Sequence, residues 1–159
     1  MTDDTAFADA GESPREIPEV LTILLVDDHW VMLEAVRALI ETDDTLEVVG
    51  TASRVADAIQ LARALQPRVA VIDVRMPDGG GWAAARGLRE VCPGIRLVAY
   101  SSYEGALLTP TIAAAGISAF VPKGSDIQLL LSAIHGENVM PSPSPLSPAP
   151  LHRTTSAAG

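Results

Sequence analysis

The sequence predicts an α/β fold built on a doubly wound parallel sheet, and three observations carry that prediction. Short apolar runs alternate with segments whose apolar residues recur at three- and four-residue steps, the pattern of strands followed by amphipathic helices. Aromatic residues make up only 4% of the 159 residues while apolar residues make up 48%, so the core must be built from Val, Ile, Leu and Ala. That composition suits a parallel sheet covered on both faces. The strongest run, Val69–Val74 (VAVIDV), is apolar on both faces apart from Asp73, as a central strand requires.

The elements follow in order. Thr22–Val26 (TILLV) reads as the first strand and ends in Asp27 and Asp28. Met32, Ala35, Val36, Leu39 and Ile40 mark one face of the first helix. Leu46–Val49 is the second strand. Val55, Ala58, Ile59, Ala62 and Leu65 trace a second helix that Pro67 stops. After Val69–Val74, the loop Met76–Gly81 leads into a helix carrying Trp82, Ala85, Leu88 and Val91. Its glycines lack the Lys-Ser/Thr ending of a nucleotide-binding loop, so Gly79–Gly81 reads as a flexible turn. Ile95–Tyr100 is the fourth strand, Leu107–Ala115 a helix, Ile117–Val121 the fifth strand and Ile127–Ile134 the last helix. Pro110 falls inside the helix expected at Leu107–Ala115, which must begin late or kink.

The ends differ in composition. Residues 1–20 carry six acidic residues against Arg15 and no apolar periodicity, which predicts a disordered leader. Residues 140–159 hold five prolines among Ser, Ala and Thr, which predicts a flexible tail. The expected folded unit is therefore 21–139. The formal net charge of −9 argues against direct nucleic-acid binding, and no Lys/Arg cluster suits an anionic membrane surface. The lone Cys92 cannot form an internal disulfide and reads as an inert, partly buried thiol. With no signal-peptide pattern and no apolar run of spanning length, a soluble cytoplasmic protein is expected.

In a doubly wound sheet ligands bind beyond the carboxyl ends of the strands, at the topological switch point. Four of the five strands deliver a polar group there: Asp27 and Asp28, Asp73, Ser101, and Lys123. Three crowded carboxylates need a cation, and oxygen ligands select a hard one such as Mg²⁺. A hydroxyl and an ammonium across the pocket suit the oxygens of a phosphoryl group. Capping of the next helix is a simpler use for Asp27 or Asp28. Asp73 is different, because an unpaired carboxylate within an apolar run costs several kcal/mol, roughly.

Leu25-Val26-Asp27-Asp28-His29, Asp73-Val74-Arg75-Met76-Pro77, Ser101 and Lys123-Gly124 together resemble the receiver domains of bacterial two-component response regulators. The likeness is strongest to the branch often fused to helix-turn-helix effectors, and it covers about 21–137. The spacings agree: 45 positions from Asp28 to Asp73, 28 to Ser101 and 22 more to Lys123. The resemblance implies a flavodoxin-like (βα)5 fold with strand order 2-1-3-4-5. It implies Asp73 as phosphoacceptor and a Mg²⁺ ion held by Asp27, Asp28, Asp73 and the Arg75 backbone carbonyl. Lys123 would pair with the phosphoryl group, Ser101 would be the switch hydroxyl, and Phe120 the aromatic that turns inward. Phosphate lifetime in the family is tuned at the positions of Arg75 and Tyr103. A sensor histidine kinase is the implied donor, with an unidentified output protein and a homodimer as further partners.

Two features depart from the family pattern. Pro122 precedes Lys123, where many receivers place proline after the lysine, so the approach of Lys123 is expected to differ. The output face is altered if Pro110 interrupts its helix. His29 reads as a surface or packing residue rather than a ligand, His135 and His152 show no metal spacing, and Trp82 reads as helix-start packing. The leading expectation is a stand-alone, non-enzymatic phosphoacceptor, since the tail is too short for a helix-turn-helix. The receiver part of a DNA-binding regulator is the second. A phosphatase with an aspartyl intermediate, for which Asp78 is the one nearby acid, and a phosphorylation-independent module are the remaining alternatives.

Overall fold

The structure, a computed structural model, describes residues 19–77, 80–102 and 114–137. The elements run β1 (Leu21–Val26), α1 (Trp30–Ile40), β2 (Leu46–Ala52), α2 (Val55–Leu65), β3 (Val69–Ile72), α3 (Gly80–Val91), β4 (Arg96–Ser101), β5 (Ala119–Pro122) and α4 (Ile127–His135). The strands pair in parallel in the order β2-β1-β3-β4-β5. Residues 1–18 of the predicted leader, the residues Asp78 and Tyr103, nearly all of the helix expected at Leu107–Ala115 with Pro110, and the tail with His152 lie outside the described residues.

The two faces of the sheet follow from the two-residue period of a strand. Leu24 and Val26 of β1, Ala70 and Ile72 of β3, and Leu97 and Ala99 of β4 pack with Ala58 and Ala62 of α2 and with Ala84, Ala85 and Leu88 of α3. Ile23, Leu25, Val69, Val71 and Val98 face the other way, onto Leu33, Val36 and Ile40 of α1 and Leu130, Ala133 and Ile134 of α4. Because β1 and β3 are buried on both faces, they read as continuous apolar runs.

Helix boundaries have local causes. The chain leaves α2 through Gln66 in the left-handed region (φ 47°), and Pro67 follows as the predicted stop. Asp126 caps α4 by accepting the Gln128 N–H, and Gly136 (φ 86°) closes it.

Besides shifts of one residue at the ends of β1, β4 and α4, several features differ from the sequence reading. β2 runs on to Ala52, because a register shift between Ile23 and Leu24 lets Gly50, Thr51 and Ala52 keep pairing with β1. β3 stops at Ile72, and Asp73 joins its neighbour only through its N–H on the Val26 carbonyl (2.8 Å). β5 covers Ala119–Pro122, starting two residues and ending one residue later than expected, after Gly116 turns the chain at φ 71°. Finally, Gly80 and Gly81 are no flexible turn; they are buried in the first turn of α3.

Candidate functional site

Chain order reverses direction between β1 and β3, since β2 lies outside β1 on one side and β4 beyond β3 on the other. This is the switch point where loops diverge and leave a crevice. Asp27 and Asp28 leave β1 on one side of it, and Asp73 leaves β3 on the other. Backbone bonds fix both exits: Asp27 N–H donates to the Ala52 carbonyl (3.1 Å) and Asp73 N–H to that of Val26 (2.8 Å).

Ser101 and Lys123 reach the same carboxylate from the next two strands. Ser101 ends β4, is fully buried, and donates from Oγ to Asp73 Oδ1 at 2.9 Å. Pro122 ends β5 opposite Ser101, and the Lys123 N–H continues the ladder to the Ser101 carbonyl at 3.0 Å. Proline is harmless at that point, because β5 is the edge strand of the sheet. The expected disturbance of Lys123 is absent: its ammonium lies 2.7 Å from Asp73 Oδ2 and 2.5 Å from Asp27 Oδ2.

Asp73 Oδ1 also accepts the Arg75 backbone N–H at 2.9 Å. Burial pushes the Asp73 carboxyl upward. The Arg75 N–H, the Lys123 ammonium and the Ser101 hydroxyl outweigh it and hold the group below the ordinary carboxylate range. For Lys123, burial pulls downward, and bonding to Asp27 and Asp73 more than reverses it, so the ammonium is held charged beyond its usual range. Both partners are therefore ionised at neutral pH.

The expected capping role is not met, since the backbone N–H that Asp27 bonds is that of the cap residue ahead of α1 and not one within the helix. Its Oδ1 takes the N–H of His29, the N-cap residue of α1, at 2.9 Å, while His29 itself makes no side-chain cap. Asp28 differs: its Oδ1 is out of contact with water and accepts no hydrogen bond from any described residue. His29 Nδ1 stands 3.0 Å away without hydrogen-bonding geometry. Ligand atoms of Asp27, Asp28, His29 and Asp73 all lie within 4.8 Å of one another. Three carboxylates against one ammonium leave two negative charges, and the buried Asp28 Oδ1 has no donor among the described residues. This donor set fits a divalent cation.

Phe120 is half-buried on the α2–α3 side of the sheet, level with Ala99 and two residues before the level of Ser101. Trp82 packs against the same cluster, as expected of a helix-start packing residue. Two features escaped the sequence. A side chain at Gly81 would press on the Asp73 carbonyl and the Val74 Cα, so glycine is what lets α3 approach the acceptor strand so closely. Met76, assigned to a loop, is buried in the core between the sheet and α2 and α3. A run of three glycines after a strand signals the first of these; nothing local signals the second.

The model for the response regulator receiver domain matches residues 23–135. The chain belongs to the response regulator receiver domain family. This receiver is 39% identical over 106 residues to the DNA-binding transcriptional activator DevR/DosR of Mycobacterium tuberculosis, covering 65% of this chain and 48% of that one. It is 31% identical over 115 residues to the response regulator GacA of Pseudomonas aeruginosa, covering 72% and 54%. Among solved structures, a LuxR-family two-component response regulator from Aurantimonas sp. SI85-9A1 superposes with a TM-score of 0.69 at 30% identity, covering 76% of this chain and 89% of that one. The receiver spans about half the length of the curated relatives it matches. Its described helices include none long and apolar enough to cross a membrane.

Proposed function

We propose that this receiver takes a phosphoryl group from a sensor histidine kinase onto Asp73, with Mg²⁺ held by Asp27, Asp28, Asp73 and the backbone carbonyl of Arg75. The observation that carries the reading is the convergence of Lys123 Nζ and Ser101 Oγ on the two oxygens of Asp73, at 2.7 and 2.9 Å. A carboxylate whose only task was structural would not need both an ammonium and a hydroxyl delivered by separate strands.

The chain's own residues set the course of the transfer. Asp73 is kept ionised, so it attacks without first losing a proton; its P–O bond forms as the donor's P–N bond breaks. Lys123 is within reach of both Asp27 and Asp73 and follows the added negative charge. Ser101 turns its hydroxyl from Asp73 Oδ1 to a phosphoryl oxygen, and Phe120 moves inward on the same face of the sheet. When bound, the metal ion supplies charge neutralisation for the phosphoryl oxygens. Shifting such an equilibrium from mostly off to mostly on takes roughly 5 kcal/mol, which a few charge-assisted hydrogen bonds supply.

On this reading residues 21–139 are the switching unit, the chain works in the cytoplasm, and it signals by protein contact, through an output protein or a second copy. It is a phosphoacceptor rather than an enzyme acting on an exogenous substrate. Intact mass after incubation with Mg²⁺ and acetyl phosphate tests the assignment. Wild type is expected to gain one phosphoryl mass and Asp73→Asn none; a gain in both, or in neither while a kinase also fails to label the protein, rejects it.

A second reading has an observation of its own. One relative is named a DNA-binding transcriptional activator, and this chain spans 48% of it. The receiver is then the regulatory half of a DNA-binding protein. Reading the genomic frame beyond codon 159 for a helix-turn-helix decides between the two.

A further inference from the structure

The imidazole of His29 stands at the acidic pocket although 72% of its side chain is exposed. Its Nδ1 lies 3.0 Å from Asp28 Oδ1 and 3.3 Å from Asp27 Oδ1. The His29 N–H donates to Asp27 Oδ1 at 2.9 Å, and the ring Nδ1 is hydrogen-bonded to the same oxygen at 3.3 Å. Although His29 is the N-cap of α1, its side chain makes no capping hydrogen bond. The ring is therefore held against the carboxylates while doing nothing for the helix.

The separation from Asp28 has a chemical meaning. Two ligands at right angles in an octahedral shell, each about 2.1 Å from the ion, stand roughly 3.0 Å apart. Asp28 Oδ1 and His29 Nδ1 have that spacing, and Asp28 Oδ1 is the buried carboxylate oxygen that no described donor satisfies. An imidazole nitrogen in the shell changes which ion is preferred. Mg²⁺ is a hard ion that favours oxygen, whereas first-row transition ions accept imidazole readily.

We propose that His29 is a specificity-determining ligand of this pocket, giving it a preference for a borderline divalent cation such as Mn²⁺ or Co²⁺ over Mg²⁺. The inference rests on the reading of the pocket as a metal site and adds one donor to it. Asp73, Lys123 and Ser101 keep their roles whichever ion is present. His29 selects the ion.

The test uses the full chain at a single pH of about 8. Wild type, His29→Ala and Asp28→Asn are titrated calorimetrically with MgCl₂, MnCl₂ and CoCl₂, and the Mn²⁺-loaded proteins are examined by pulsed EPR for a directly bound nitrogen. In His29→Ala the preference for Mn²⁺ over Mg²⁺ is expected to fall on the order of tenfold, with Mg²⁺ affinity changed by no more than about twofold. The nitrogen coupling is expected in wild type and absent from His29→Ala. An unchanged Mn²⁺/Mg²⁺ ratio, or Mn²⁺-loaded wild type without nitrogen coupling, overturns the assignment of His29 and leaves the metal pocket standing. A wild type that binds none of the three ions, or an Asp28→Asn variant that binds them all as before, overturns the pocket itself and His29 with it. Because the ring is exposed and caps nothing, His29→Ala is expected to unfold at the wild-type temperature.

Discussion

Lys123 Nζ lies 2.7 Å from Asp73 Oδ2 and 2.5 Å from Asp27 Oδ2, so one ammonium from β5 ties together the ends of β1 and β3. All three side chains are at most 10% exposed, and the link spans 96 positions of sequence on one side and 50 on the other. The lysine reaches them from across the sheet: β1 and β3 are neighbours, whereas β4 lies between β3 and β5. Lys123 is thus a structural clamp as well as the balancing charge of the site.

Removing the clamp exposes the repulsion it balances. Lys123→Met keeps most of the aliphatic stem and deletes the charge, leaving buried carboxylates without their cation. Breaking one partner of a buried pair costs about 3 kcal/mol. Urea unfolding at pH 7 without divalent ions is expected to show a loss of that order. Millimolar Mg²⁺ is expected to restore part of it, because an ion that binds only the folded protein stabilises it by mass action. A Lys123→Met protein as stable as wild type, with or without Mg²⁺, contradicts the clamp.

Ser101→Ala tests the neutral donor. The hydroxyl is fully buried and bonded to Asp73 Oδ1, which the Arg75 N–H continues to hold after the change. The expected loss is about 1 kcal/mol, since one acceptor keeps one of its two donors. Losing a donor to the charged form also lets the Asp73 carboxyl titrate closer to the ordinary carboxylate value. Carbon-detected NMR titration of that carboxyl in both proteins reads the shift directly; no upward movement in Ser101→Ala counts against the bond.

Most of this site was legible because each of its residues interrupts a pattern. Asp73 breaks an apolar run, and Asp27, Asp28, Ser101 and Lys123 end theirs, so each is visible against its strand. What was not legible depends on contacts between distant segments. That Lys123 would engage Asp27 as well as Asp73 follows from the strand order and not from any local signal. His29 is largely exposed, as a surface residue should be, but the contact of its ring with Asp27 Oδ1 has no signal in the sequence. Strand ends were missed for a related reason: the β1–β2 register shift that extends β2 to Ala52 belongs to the pair and has no signature in either strand.

Gly81 is the close-approach residue between α3 and the acceptor strand. Adding a methyl group there presses on the Asp73 carbonyl and Val74 Cα, backbone atoms that cannot swing aside. Gly81→Ala is expected to cost about 1–3 kcal/mol by overpacking, despite the better helix propensity of alanine. Phosphorylation by acetyl phosphate is expected to slow as well, since Asp73 moves with its backbone. Gly94→Ala is the control, because a Cβ at Gly94 meets nothing within 4 Å and its effect should be small.

At the opposite end of the sheet, Asp43 ties the turn before β2 to the end of α4, and it supplies the clearest acid dependence in the molecule. Its Oδ1 accepts from Thr45 Oγ1 (2.6 Å) and the Thr45 N–H (2.9 Å), and its Oδ2 lies 3.0 Å from His135 Nε2. The Thr45 hydroxyl, then His135 and the Thr45 N–H, hold the carboxyl down at about 2, against an ordinary 3.8. A carboxyl depressed in the folded state binds its proton more readily once unfolded, so protonation favours unfolding. The stabilisation is therefore complete above the ordinary value of 3.8 and disappears as pH falls through about 2. Asp43→Asn removes it at every pH, because the amide carries no charge for His135 or Thr45 to stabilise. Urea midpoints of the two proteins are expected to differ most near neutral pH and to converge steadily below about pH 4. A difference that stays constant through that range means the Asp43 contacts do not depend on its charge.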